Sequence, residues 1–294
     1  MILLTGASGK TGKAILQALT KRNVDVRVFV RTNEQGNYLQ QLGAKESIIG
    51  DLRNSTSLKK AIKGCKSLYY ICPNVSPDEL EIGKMMLDIG QQEKINHFVY
   101  HSVLHPHIES MPHHWQKMRM EESIFASGIP FTILQPCAYM QNIQSNLQSI
   151  LTKKTYEIPY STTSRISIVD LNDVAEVAAL VLAEADQHLC AMYELSGPQP
   201  LSQEDVAATI SEVYNEKVIA KCIDNELWAS NALSGNLSGS QIEILVKMFK
   251  YYDKYGLVGN SYILNQLLRK PATTFASFLK QTILSNKTNN TGGN

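Results

Sequence analysis

The stretch "LLTGASGKTGKAI" near the N terminus sets Gly6-x-x-Gly9-x-x-Gly12 directly after an apolar strand and at the opening of a helix. Few short patterns restrict a fold so tightly, because each glycine has its own task. Gly6 permits a tight turn, Gly9 lets backbone approach a pyrophosphate, and Gly12 lets the helix pack closely on the strand. The N–H groups at the helix start then face an anion, aided by the helix dipole. Gly6, Ser8, Gly9, Lys10, Thr11 and Gly12 are therefore expected to cradle the phosphates of a dinucleotide.

The segments after the loop fit that expectation. "VRVFV" (26–30), "SIIG" (47–50), "SLYYIC" (67–72), "HFVYHS" (97–102) and "FTILQP" (131–136) are short, apolar and rich in β-branched or aromatic residues. Strands buried on both faces of a parallel sheet read this way. Helical segments such as "DELEIGKMMLDIGQQEK" separate them, and regular βαβ alternation implies right-handed crossovers and a doubly wound α/β sheet. After residue 136 the rhythm changes. "LNDVAEVAALVLAEAD" (171–186) reads as an amphipathic helix, "MYELSG" (192–197) as a strand, and "LSQEDVAATISEVYNEK" as a helix opened by Ser202 and Asp205 at capping-box spacing. The expected organisation is a nucleotide-binding core over 1–136 and a smaller, mostly helical lobe over 137–285. That lobe packs on the core and adds late elements to it, and a frayed polar tail covers 286–294.

The 294 residues are 44% hydrophobic and 19% charged with a formal net charge of +1. That balance describes an ordinary globular chain with no long-range field to collect nucleic acid or anionic lipid. Five cysteines at irregular spacing form no disulfide framework, so a reducing, cytoplasmic compartment is expected. No targeting segment or membrane span is read. Six of the seven histidines lie between His97 and His114, but their spacing matches no metal motif and no metal is expected.

The second strand ends on Arg31, where an NAD-preferring fold carries an acid that accepts from the ribose hydroxyls. A guanidinium attracts a 2′-phosphate and can grip it bidentately, so NADP(H) is the expected cofactor. Asp51, in "GDLRN" with Leu52, is placed to accept from the adenine amino group.

The loop spacing, Arg31, "GDLRN", "HFVYHSVLHP", "FTILQPCAYMQN" and "LLRKPATTF" together resemble the NmrA-like family of atypical short-chain dehydrogenases, over nearly the whole chain. The resemblance implies a Rossmann fold and one of two functions. One is reduction of a small electrophile such as a quinone by NADPH. The other is a non-catalytic NADP(H)-sensing regulator that binds a protein partner. The oligomeric state is left open.

Ligands of open α/β sheets lie at the carboxyl ends of the strands. This draws Pro73, Asn74, Ser102, Val103 and Pro136 to Met140, including Tyr139, around one crevice. Short-chain dehydrogenases carry Tyr-x-x-x-Lys on the following helix; "MPHHWQKMRMEE" keeps Lys117 but has His113 in place of the tyrosine. The resemblance implies that Lys117 holds the nicotinamide ribose. An imidazole can donate a proton near neutral pH, so His113 is a candidate substituted acid. Ser102 is a candidate to orient a bound carbonyl, and Cys137 is either a redox-sensitive thiol or a small buried apolar residue.

Overall fold

Short β-branched and aromatic runs, buried on both faces, build a sheet whose strands alternate with helices. The structure is a computed structural model and describes residues 1–73, 75–233 and 237–291, with side chains as far as Leu284. In chain order it opens with β1 (Ile2–Leu4), α1 (Lys10–Lys21), β2 (Val26–Val30), α2 (Asn33–Gln41), β3 (Glu46–Ile49) and α3 (Ser55–Ile62). β4 (Ser67–Tyr70), α4 (Glu79–Gln92), β5 (His97–His101), α5 (Pro112–Ser127) and β6 (Phe131–Pro136) continue the alternation. Then come β7 (Ala138–Tyr139), α6 (Gln141–Gln144), α7 (Leu147–Lys153), β8 (Thr155–Ile158), β9 (Ile166–Val169), α8 (Leu171–Ala183) and β10 (Ala191–Leu195). The chain closes with β11 (Pro200–Leu201), α9 (Gln203–Tyr214), β12 (Ile219–Cys222), α10 (Asn225–Leu233), α11 (Gly239–Tyr255), α12 (Tyr262–Leu268) and α13 (Phe275–Thr291).

Two compact units result: Met1–Pro136 with Leu171–Glu194, and Cys137–Asp170 with Leu195–Asn294. The first is built on a seven-stranded sheet in the order β10-β6-β5-β4-β1-β2-β3. The parallel registers include Ile2↔Val26, Ile2↔Ser67, Ser67↔His97 and Phe98↔Phe131. This is the Rossmann-type arrangement. The strand order reverses beside β1, with β2 on one side and β4 on the other, and in open sheets of this kind ligands lie at the carboxyl ends of the strands where the connections diverge. One face of the sheet is covered by Leu58, Ile62, Ile82, Met86, Met120 and Ile124 from α3, α4 and α5, packed with Leu68, Tyr70, Phe98 and Tyr100. On another side α1 packs against α8. α8 differs from the amphipathic helix expected: Val174, Ala175 and Val177 to Leu182 are all buried. Its small Ala175, Ala178 and Ala179 leave no polar stripe and let neighbours approach from several directions.

The second unit holds a three-stranded sheet, β11-β9-β7, and a parallel pair, β12-β8. These strands of two to four residues are too short to show a period in the sequence, and none was anticipated. α9 does begin at the anticipated capping box. Ser202 Oγ accepts from the Asp205 N–H at 3.0 Å, and Asp205 Oδ2 accepts from the Ser202 N–H at 2.9 Å. α13 runs on to Thr291, past the point at which a frayed tail was expected. Asn and Thr are weak helix formers but do not break a helix already started. Residues 292–294 lie outside the described residues. Among the described residues, no helix is long and apolar enough to cross a membrane. Nor does any group of three or more His, Cys, Asp or Glu side chains there form a metal-binding set.

Candidate functional site

The turn after β1 is fixed from below by Thr5, whose Oγ1 donates to the Ile71 carbonyl at 3.0 Å and accepts from the Ile71 N–H at 2.9 Å. This clamps the ends of β1 and β4 together at the point where the strand order reverses. Gly6 then turns the chain with φ +60, and a Cβ there would lie 2.9 Å from the Ile71 Cβ. Gly12 is equally constrained, since a Cβ would lie 2.4 Å from the Gly6 carbonyl oxygen. Gly9 is different. Its φ of −76 and ψ of 167 suit any residue, and the nearest atom to a built Cβ is the Gly6 oxygen at an ordinary 3.4 Å. Neither the backbone nor internal packing requires glycine at that position. Gly9 is also the N-cap of α1 and offers no side chain to the first-turn N–H groups, so the turn carrying Ser8, Lys10 and Thr11 presents uncapped donors.

Arg31 follows β2 and is exposed; its N–H donates to Gln35 Oε1 at 3.0 Å. Its guanidinium has no partner among the described residues. The nearest competing acid, Glu34, is engaged with the Thr32 hydroxyl, which holds its carboxyl below the ordinary value. Asp51 is exposed and accepts from the Arg53 N–H at 2.9 Å in the turn leading to α3. Beside it, Leu52 packs partly on the core. Pro73, just past β4, is exposed, while Asn74 lies outside the described residues. Pro136 ends β6, and its carbonyl accepts from the Leu104 N–H at 2.9 Å. Tyr139, expected at the same crevice, belongs to the second unit, where β7 pairs it with Val169.

Lys117 is held at the end of β5. Its Nζ donates to Glu79 Oε1 at 2.6 Å and to the His101 carbonyl at 3.2 Å, and it lies 5.4 Å from the centre of the Tyr100 ring. Glu79 also accepts from the Tyr100 hydroxyl at 2.7 Å. Ser102 is 3% exposed, and its hydroxyl donates to Glu121, which accepts from Gln135 Nε2 as well. The proton expected to orient a substrate carbonyl is thus committed to a buried carboxylate that needs it. His113 sits one helical turn before Lys117 on α5. Burial, with smaller contributions from His114 and Lys117, pushes its imidazole down to about 3, and its buried Nδ1 has no hydrogen-bond partner among the described residues. At neutral pH it is an uncharged ring and has no imidazolium proton to give, contrary to the role of substituted acid.

The remaining expectations resolve into packing. His97 meets Thr132 Oγ1 at 2.7 Å and His101 meets the Tyr69 hydroxyl at 2.7 Å, both inside the sheet. Cys137, in the second unit, is buried and its thiol is pushed up to about 12, so it is no reactive thiolate. Sequence reasoning missed Glu79, Tyr100, Glu121 and Gln135. In "SPDELEIG" Glu79 looks like any solvated acid in a first helical turn, and no local signal marks it as buried.

Three comparisons fit this geometry. The chain is 26% identical over 282 residues to an NAD(P)H azoreductase of Xenophilus azovorans, covering 95% of this chain and 97% of that one. An NADPH-dependent quinone oxidoreductase of Escherichia coli, solved with NADPH, superposes with a TM-score of 0.85 at 22% identity, covering 96% of this chain and all of that one. A triphenylmethane reductase of Citrobacter sp., solved with NADP(H), also gives 0.85 at 23% identity, covering 96% of this chain and 99% of that one. These two structures share the fold. The NmrA-like family model matches residues 1–282, and the chain belongs to that family.

Proposed function

We propose that this chain binds NADP(H) and reduces a quinone-like or other small electrophile by hydride transfer. The observation that carries the reading is Gly9, a glycine that nothing inside the described chain requires. A pyrophosphate approaching the backbone is what would exclude a side chain there, and the uncapped first turn of α1 supplies donors for it. Arg31 would take the 2′-phosphate, and Asp51 with Leu52 would border the adenine. The azoreductase and quinone reductase relatives support the reaction class.

When bound, the dihydronicotinamide supplies the hydride. Among the described residues Lys117 has two donors committed, to Glu79 and to the His101 carbonyl, and the third is left for a ribose hydroxyl. His113, neutral and with an Nδ1 that has no partner among the described residues, would contribute a hydrogen bond rather than a proton. An acceptor whose reduced oxygen water can protonate suits such a site.

Titration of wild type and Arg31→Ala with NADPH and NADH tests the cofactor. Charge-assisted contacts of about 1.5–3 kcal/mol predict a preference for NADPH above tenfold that the variant loses. Equal affinities in wild type would remove Arg31 from the site. Turnover of NADPH against a panel of quinones tests the reaction, and His113→Ala should slow it far less than the ~10²–10⁴-fold loss of a general acid. If neither variant matters and no electrophile consumes NADPH, the alternative reading of an NADP(H)-sensing regulator takes its place, and a pull-down with and without NADP(H) tests for its protein partner.

A further inference from the structure

We infer that Glu79 is the positioning residue that holds the Lys117 ammonium at the carboxyl end of β5, so that nucleotide affinity depends on a carboxylate that does not itself touch the nucleotide. The inference rests on the NADP(H) reading of the site.

Glu79 opens α4 yet is only 3% exposed, because its side chain turns under the helix start instead of into water. Its backbone is pinned by the Tyr70 hydroxyl, which donates to the Glu79 carbonyl at 2.8 Å. Its Oε1 is pinned by the Tyr100 hydroxyl at 2.7 Å, and Tyr70 and Tyr100 stack at 5.6 Å between ring centres. A carboxylate so fixed offers one place for a cation, and Lys117 Nζ fills it at 2.6 Å.

The pair spans α4 and α5, and its second tie, to the His101 carbonyl, sets the ammonium against the last residue of β5. Stability alone is a poor reason for such an arrangement. Well-packed apolar residues of the same volume commonly serve as well as a buried ion pair or better. What apolar residues could not do is hold a long, flexible lysine stem in one rotamer with one N–H uncommitted. Without Glu79 the ammonium would lose its strongest tie, and the side chain would regain freedom that nucleotide binding must then remove.

A double-mutant cycle tests this on the full chain, with Glu79→Gln, Lys117→Met and both together. NADPH affinity is read by nucleotide fluorescence, and thermal midpoints are read without nucleotide. Glu79→Gln in the wild-type background should weaken NADPH about tenfold, the scale of one charged hydrogen bond. In the Lys117→Met background it should change affinity by less than about twofold, because the group it positions is already gone. Lys117→Met strands a buried carboxylate, so the double variant should melt above that single one, and the thermal midpoints show that each variant compared is folded at the temperature of the titration. Equal losses from Glu79→Gln in both backgrounds would show that Glu79 acts through the fold and would overturn the inference. No loss in wild type would overturn it too. A wild-type chain that binds no NADPH would defeat the cofactor reading, and this inference with it, whereas wild-type binding with additive losses defeats this inference alone.

Discussion

Glu79 and Glu121 are buried alike, at 3% and 2% exposed, and both lie close to Lys117, but they keep different company. Glu79 has the ammonium at 2.6 Å, a phenol, and the N-terminal turn of α4. Glu121, one turn beyond Lys117 on α5, accepts from the Ser102 hydroxyl and, at 2.9 and 3.0 Å, from the Gln135 amide, both neutral donors. Burial therefore pushes its carboxyl up from the ordinary value, against the pull of those two residues and of Lys117. Equal burial does not make equal surroundings. One carboxylate is paired with a cation at the end of β5, and the other ties the ends of β5 and β6 together.

Removing the cation draws the contrast most sharply. Lys117→Met should cost about 3–5 kcal/mol in urea unfolding, since Glu79 would stay buried without its counter-charge. A loss within about 0.5 kcal/mol, the range of a surface change, would place the pair in solvent instead.

Acid gives the next largest effect and a sign to check. Burial is the main cause holding His101 and His113 down to about 3. Between about pH 6.5 and that value the unfolded chain binds more protons than the folded one. Their contribution is complete above about pH 6.5 and is lost as pH falls, at roughly 1.4 kcal/mol per pH unit for each. Urea midpoints measured from pH 7 to 5.5 should fall accordingly, and a flat profile would mean that these rings are hydrated.

Glu121→Gln should have the smallest effect and the opposite slope. A carboxyl raised by burial binds its proton more tightly folded than unfolded, so ionising it at neutral pH lowers stability. The amide should match or slightly exceed wild type near pH 7.5, and the difference should vanish below the ordinary carboxyl pKa of about 4.3. Damage as great as that of Lys117→Met would erase the distinction between the two carboxylates.

Much of the first unit was legible because its signals are local. The tasks of Gly6 and Gly12 involve atoms a few residues away or at the end of the adjacent strand; in the second unit the capping box at Ser202 was legible for the same reason, since it closes within one turn. The site beyond the loop was legible only in outline. Spacing placed Lys117 and His113 on the right helix, but not the burial that discharges His113, nor the Glu121 carboxylate that engages Ser102. The short strands of the second unit were illegible for another reason: β8 is a strand because β12 lies beside it, and neither run carries a period of its own.

The sequence by itself determined the alternation of strand and helix, the glycine turn after β1, and the basic residue after β2, because covalent neighbours and hydrophobic period set these. Tertiary structure decided which titratable groups carry charge and what they hold. Tyr70, Glu79, Tyr100, His101 and Lys117 come from β4, α4, β5 and α5, and only the fold brings them within hydrogen-bond reach. Charge inside a protein follows the distance to other charges and the loss of water, and neither quantity exists until the chain has folded.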